Sequence, residues 1–203
     1  MKKHKICIVG GGLTGLISAL VLSERGLDID LIVENSVSKI KDLRVTAISE
    51  KNMDFLKSTI KNINLKLFYP VKKINLFFEK NNQTKNFLNF DENKNLMFFF
   101  ENRLTKEHLT KLLKKTKIKI QKKTVKSIDL AENKVFTNLS SKSYDLVVLC
   151  LGSNSPIYQK ISGNREIQKN YKEHSVTCNV KHQIKGIGAQ QFFLKEGPLA
   201  ILP

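Results

Sequence analysis

Tryptophan is missing from this chain, and proline (four), arginine (four) and cysteine (three) are scarce. Each shortage excludes something. Cys7, Cys150 and Cys178 are odd in number, far apart and in no Cys-x-x-Cys pair. Neither a disulfide framework nor a metal site is expected, and the thiols read as reduced, in a cytoplasmic setting. His4, His108, His174 and His182 fall into no catalytic constellation, so no acid–base residue is named. No apolar run approaches the about 18 residues that a membrane span needs. The basic opening Lys2-Lys3-His4-Lys5 looks like the head of a secretion signal, but Gly10, Gly11 and Gly12 interrupt the apolar run behind it. No small-residue cleavage site precedes Glu24 and Arg25, and secretion is rejected.

What is present is a chain of 203 residues, 41% hydrophobic and 26% charged, enough for one large domain or two small ones. Its net charge of +17 rests on 31 lysines, in company with abundant asparagine and isoleucine. That bias fits an AT-rich coding sequence as well as selection for a polyanion. The lysines are dispersed and no aromatics alternate with them, which argues against nucleic acid. Peripheral attraction to an anionic membrane is the better use of such charge.

The organising stretch is Ile6-Cys7-Ile8-Val9-Gly10-Gly11-Gly12-Leu13-Thr14-Gly15. An apolar strand runs into Gly10-x-Gly12-x-x-Gly15 and then into a helix that Arg25-Gly26 stops. In such a turn the first glycine makes the bend and the second lets backbone approach a pyrophosphate. The third lets helix pack on strand, and the phosphates sit on free helix N–H groups. Asp28 to Val33 reads as a second strand, and Glu34 follows it, nineteen residues after Gly15, where a carboxylate would take ribose hydroxyls. A dinucleotide site at Gly10, Gly11, Gly12, Leu13, Thr14, Gly15 and Glu34 is expected.

Beyond it, Asp42 to Ser49 reads as a loop entering a helix through Met53 and Leu56, with Arg44 as an arginine suited to bidentate phosphate contact. Leu65–Tyr69, Ile74–Phe78 and Leu96–Phe100 read as strands of an inserted sheet, their phenylalanines as core. The alternative, less favoured reading is that a lipid-like substrate uses one face of that sheet. Leu104, His108, Leu109, Leu112 and Leu113 are spaced for an amphipathic helix. Residues 118–120, 125–128 and 134–136 read as a small antiparallel excursion. Tyr144 to Cys150 reads as a strand buried on both faces. It ends in a turn at Gly152-Ser153-Asn154-Ser155. Strand-like pieces follow at 175–180 and 191–194.

Taken together these motifs resemble the flavoprotein monooxygenases of ubiquinone biosynthesis, in the p-hydroxybenzoate hydroxylase superfamily. The nearest branch is the 2-octaprenyl-6-methoxyphenol hydroxylase group. The match includes Glu101-Asn102-Arg103-Leu104, the turn at Gly152-Ser153-Asn154-Ser155 and Ala189-Gln190-Gln191-Phe192; the motifs most particular to this branch are Asp42-x-Arg44-x-x-Ala47-Ile48-Ser49 and Gly197-Pro198-Leu199-Ala200-Ile201-Leu202-Pro203.

The resemblance implies an α/β fold: a Rossmann-like FAD-binding domain (1–62 and 96–160) with an inserted, incomplete, mostly antiparallel substrate domain (63–95 and 161–203). It implies FAD as cofactor, held by Gly10, Gly11, Gly12, Leu13, Thr14, Gly15, Glu34, Arg44, Arg103 and Gly152. Val125 would lie near the adenine through its main chain. NAD(P)H would be the electron donor, a polyprenylated phenol the substrate, and other ubiquinone-biosynthesis proteins the partners. The family carries Asp-Gly where this chain has Leu151-Gly152, and it continues past the position of Pro203, so the chain reads as a fragment. Two other readings stay open: a nicotinamide-dependent oxidoreductase using the same pocket, and a non-enzymatic basic module on membrane or nucleic acid.

Overall fold

The computed structural model describes residues 3–34, 42–152, 155–162, 173–181, 183, 186 and 188–203. From the amino end come β1 (Lys5–Val9), α1 (Leu13–Ser23) and β2 (Asp28–Val33). Next, β3 (Val45–Ser49) runs straight into α2 (Glu50–Thr59). A single 3-10 turn at Leu65–Leu67 precedes β4 (Tyr69–Val71), β5 (Lys73–Lys80), β6 (Gln83–Asp91) and β7 (Met97–Glu101). Then come α3 (Asn102–Leu113), β8 (Lys119–Lys122), β9 (Val125–Asp129), β10 (Lys134–Thr137), β11 (Ser141–Ser143) and β12 (Leu146–Leu149). The last elements are α4 (Pro156–Ser162), β13 (Ala189–Leu194) and β14 (Gly197–Ile201). The α/β class is as expected.

Two compact units divide the chain. The first holds Met1–Lys41, Thr59–Asn62 and Thr105–Val176, and the second holds Asp42–Ser58, Ile63–Leu104 and Thr177–Pro203. These bounds differ from the division drawn from the family, since Asp42–Ser58 and β7 lie in the second unit.

In the first unit a four-stranded parallel sheet runs in the order β12-β1-β2-β8. Ile6, Cys7, Ile8 and Val9 are all buried at its centre, as a continuous apolar strand between two neighbours should be. The residues 118–120 read as antiparallel correspond instead to β8, which pairs in parallel with β2. β9, β10 and β11 alone form the antiparallel excursion. β12 is also an edge strand: Leu146 is exposed and Val147 to Leu149 are half-buried, not covered on both faces. An apolar run does not reveal which strand of a parallel sheet stands at its edge.

The second unit has a three-stranded antiparallel sheet, β3-β7-β4, and a four-stranded sheet, β14-β13-β5-β6. The latter is antiparallel except between β13 and β5. Where a loop was expected before α2, the β-branched Val45, Thr46 and Ile48 form β3 against the phenylalanines of β7, with Thr46 opposite Phe100 and Ile48 opposite Phe98. Leu65–Tyr69 is not one strand, because the Asn64 side chain accepts the Lys66 N–H at 3.1 Å and starts the 3-10 turn. β6 went unread since every residue in it is exposed and its polar composition hides the strand. Its signal was Asn81-Asn82, both at positive φ (52° and 57°), the two-residue hairpin turn that twists with its strands. Residues 175–180 form no regular element. Phe68, Phe98, Phe99 and Phe100 are core, as expected, whereas Phe87, Phe90 and Phe193 are exposed.

Candidate dinucleotide site

The turn from β1 to α1 is closed by backbone. Gly10 sits at φ +123°, and a Cβ there would overlap the Cys150 carbonyl oxygen. A Cβ on Gly15 would overlap the Gly10 carbonyl oxygen. Turn, helix and the end of β12 are therefore packed to the limit that glycine allows. The Cys150 N–H donates to Val9 O at 2.8 Å and the Gly10 N–H to Ile32 O at 2.9 Å, tying the turn to both neighbouring strands. Gly12 is different: nothing lies within 4 Å of where its Cβ would be. It is the N-cap of α1, no side chain caps the helix there, and no acid sits in its first turn. An open backbone at an uncapped helix start is what a pyrophosphate requires.

Other expected residues gather at the same carboxyl ends. Glu34 follows β2 and is exposed. Val125 opens β9, and the nearby Lys123 N–H donates to Val33 O at 3.1 Å, bringing this backbone beside the end of β2. Gly152, at φ +76°, turns the chain after β12. Ser153 and Asn154 of the same motif lie outside the described residues. Leu151, at the family's aspartate position, packs against the cluster of Cys7, Val9, Ile32, Val135 and Tyr144.

Arg44 and Arg103 belong to the second unit, where the structure brings their two motifs side by side. Val45 pairs with Glu101, the Asn102 N–H donates to Arg44 O at 3.0 Å, and Thr46 Oγ1 lies 2.6 Å from Asn102 Oδ1. Asp42 grips Arg44 bidentately, Nε and Nη2 each donating at 2.8 Å. That hydrogen bonding holds the guanidinium above its ordinary pKa and orients it. Arg103 Nη2 lies 3.9 Å from Glu101 Oε2.

Three contributors were not read from the sequence: Asp42 as the clamp of Arg44, the Cys150 carbonyl as the wall behind Gly10, and a buried network under β2. There Asp30, only 2% exposed, accepts from Tyr144 Oη at 2.9 Å and from Lys142 Nζ at 2.5 Å. Burial pushes the Asp30 carboxyl up, but Lys142 and Tyr144 outweigh it and leave the pKa below the ordinary value. Burial also raises the Tyr144 phenol and pushes the Cys7 thiol up to about 12, so Cys7 stays a protonated core residue. Asp30 alternates with apolar neighbours like any half-exposed strand residue, so nothing in the local pattern marked it.

The sequence profile of the FAD binding domain family matches residues 3–185. No curated protein matches the chain by sequence. Among solved structures, FqzB superposes at TM-score 0.65 with 16% identity, over 79% of this chain and 39% of that one. A putative FAD containing monooxygenase from Photorhabdus luminescens subsp. laumondii TTO1 gives 0.62 with 22% identity, over 78% and 42%. A 2-methyl-3-hydroxypyridine-5-carboxylic acid oxygenase gives 0.62 with 16%, over 79% and 42%. The chain thus spans about two fifths of the length of these three structures. With nine tenths of its residues inside the family profile and the glycine cradle of that family in place, this chain belongs to the FAD binding domain family.

Proposed function

We propose that the chain is the FAD-holding part of an aromatic-ring monooxygenase that hydroxylates a polyprenylated phenol in ubiquinone biosynthesis, with NAD(P)H and O2. The observation that carries it is the backbone-closed turn at Gly10 and Gly15 around an open Gly12, in a chain that matches the FAD binding domain family over residues 3–185. The particular signatures at 42–49 and 197–203 support the ubiquinone branch.

FAD, when bound, supplies the redox chemistry that activates oxygen. The chain's own residues do the holding. The free N–H groups of Leu13, Thr14 and Gly15 would face the pyrophosphate at the positive end of α1. The Glu34 carboxylate would accept from ribose hydroxyls, and the backbone at Lys123–Val125 would lie along the adenine. Arg44, with Nε and one Nη2 hydrogen engaged by Asp42, would offer the Nη1 side of its guanidinium to a phosphate, and Arg103 would also contact the cofactor.

Among the described residues no helix is long and apolar enough to cross a membrane. With a net charge of +17, a peripheral hold on anionic lipid from the cytoplasmic side is the proposed route to a prenylated substrate. Other ubiquinone-biosynthesis proteins are the proposed partners. The test is titration of the purified chain with FAD, followed by flavin fluorescence and absorbance. Saturable binding that Gly12→Asp abolishes is the expected result. A chain that folds yet takes up no FAD would overturn the reading.

A further inference from the structure

The backbone proposed to lie along the adenine is held by the turn that follows β10. Thr137 ends β10, because its N–H and its hydroxyl both donate to Ser140 O at 2.8 Å. The same hydroxyl oxygen accepts the N–H groups of Leu139 and Ser140 at 3.3 and 3.0 Å. The chain therefore bends away where the ladder between β9 and β10 would need one more rung. Asn138 supplies that rung by other means. Its N–H donates to Thr124 O at 2.9 Å, and its side-chain Oδ1 accepts the Thr124 N–H at 3.1 Å. A carboxamide oxygen takes the place of a strand carbonyl.

The consequence falls on the next residue. In an antiparallel pair, residues that exchange both backbone bonds alternate with residues that exchange none. Thr124 and Asn138 are of the first kind, so Val125, which stands opposite Thr137, is of the second. Its N–H and C=O point away from β10, and β9 is an edge strand in the order β11-β10-β9. A β-bulge between Phe136 and Thr137 leaves Lys126 without an opposite number and breaks the regular pairing at this end. On the other flank the segment is pinned by the Lys123 N–H, which donates to Val33 O at 3.1 Å, one residue before Glu34. A donor and an acceptor on one residue, at a free strand edge, match the N1 acceptor and N6 donor of adenine.

We infer that Asn138 is a positioning residue: by closing the Thr124 rung it aims the Val125 N–H and C=O at the N1–N6 edge of adenine. The site thereby selects an adenine nucleotide over a hypoxanthine one. This deepens, and rests on, the proposed hold on FAD. Hypoxanthine carries a hydrogen on N1 and an oxygen at C6, so each of its groups would meet its own kind on Val125. A backbone edge discriminates in this way only while its direction is fixed, and Asn138 Oδ1 fixes the peptide that leads into it.

The experiment uses the whole 203-residue chain with ADP and IDP, followed by NMR chemical-shift titration, and with FAD, followed by flavin fluorescence. Both diphosphates offer the same ribose and phosphates to Glu34 and the glycine turn, so their ratio reports the base alone. The native chain should bind ADP about tenfold more tightly than IDP. In Asn138→Ala, ADP should weaken about fivefold, the factor that about 1 kcal/mol makes, while IDP changes less than about twofold. Asn138→Asp keeps the acceptor and should restore the native ratio, whatever its charge does to both affinities. Asn138→Leu, of similar shape and without an acceptor, is the second variant if alanine disturbs the turn. A merely structural role would instead weaken ADP and IDP together and leave their ratio alone. That result, a native chain without preference, or FAD binding with no detectable hold on ADP overturns the inference. If FAD still binds in that case, only the assignment of Asn138 fails. If neither FAD nor ADP binds, the FAD reading fails with it.

Discussion

The first unit buries a carboxylate, Asp30, and the second buries a carboxamide, Asn75; the two are treated in opposite ways. Asp30 is closed in, with a lysine and a tyrosine donating to one of its oxygens. Asn75 is also buried, yet its Oδ1 accepts nothing among the described residues. A satisfied buried charge ties strands together and is finished. An unsatisfied buried acceptor costs stability, of the order of 1–3 kcal/mol, and calls for an explanation. The same contrast runs through the backbone. The first unit closes its turn with main-chain atoms that cannot give way, whereas the shallow cavity on the second unit's sheet is lined by phenylalanine side chains.

The largest effect should come from filling the closed turn. Gly10→Ala places a methyl against the Cys150 carbonyl at a φ of +123°, and Gly15→Ala places one against the Gly10 carbonyl. Overpacking against backbone costs roughly 1–3 kcal/mol, and positive φ adds about 1–2 kcal/mol at Gly10. Urea midpoints should fall in the order Gly10→Ala, then Gly15→Ala, and FAD binding should go with them. If either variant kept native stability, the turn would not be backbone-limited.

Next in size is Asp30→Asn, which weakens both charge-assisted bonds and should cost about 2 kcal/mol. Tyr144→Phe should cost about 1 kcal/mol. The pH dependence has a definite sign. The folded Asp30 pKa is depressed, so its stabilisation is present above the unfolded value of about 3.9 and disappears as pH falls through the lower folded value. Unfolding followed between pH 6 and pH 2 should show a steeper acid loss in the native chain than in Asp30→Asn. Parallel curves would mean that Asp30 is not held ionised.

These two residues also show what could be read in advance. The β1–α1–β2 unit was legible because its demands are local: an apolar strand, glycines at fixed spacing, a stop at Gly26 and an acid at Glu34 each speak for themselves. Arg44 was legible as a phosphate-type cation, but not its clamp, because Asp42 looks like any loop acid until the backbone turns. β3 was hidden inside what looked like a loop, since its partner β7 lies about fifty residues away and only pairing makes it a strand. β6 was hidden by polarity. The network under Asp30 joins residues 112 and 114 positions apart, which no local pattern can announce.

A smaller effect, of opposite sign, is expected at Asn75. Leucine shares asparagine's branching at Cγ, is somewhat larger, and has no acceptor to strand. Asn75→Leu should leave stability unchanged or raise it by up to about 1 kcal/mol, while Asp30→Leu destabilises by more than Asp30→Asn. Thermal unfolding of the three variants measures this directly. A large loss in Asn75→Leu would show that the carboxamide does structural work in the free protein, and the contrast between the two buried groups would collapse.

The smallest change in stability should come from Gly12→Ala. Its φ of −76° suits any residue, and a methyl there meets nothing within 4 Å. Alanine is a poorer N-cap than glycine by a few tenths of a kcal/mol or somewhat more, but it loses less backbone entropy on folding by about 0.4–1 kcal/mol. The two nearly cancel, and the unfolding midpoint should stay within about 0.5 kcal/mol of native. FAD affinity should nevertheless fall, because the methyl occupies the face of the turn where a pyrophosphate would meet the helix N–H groups. Gly12 thus separates what Gly10 and Gly15 confound. The first and last glycines fail because the chain cannot close on itself, and the middle one because nothing else can then close on the chain. Native stability together with native FAD affinity in Gly12→Ala would move the phosphates away from this turn.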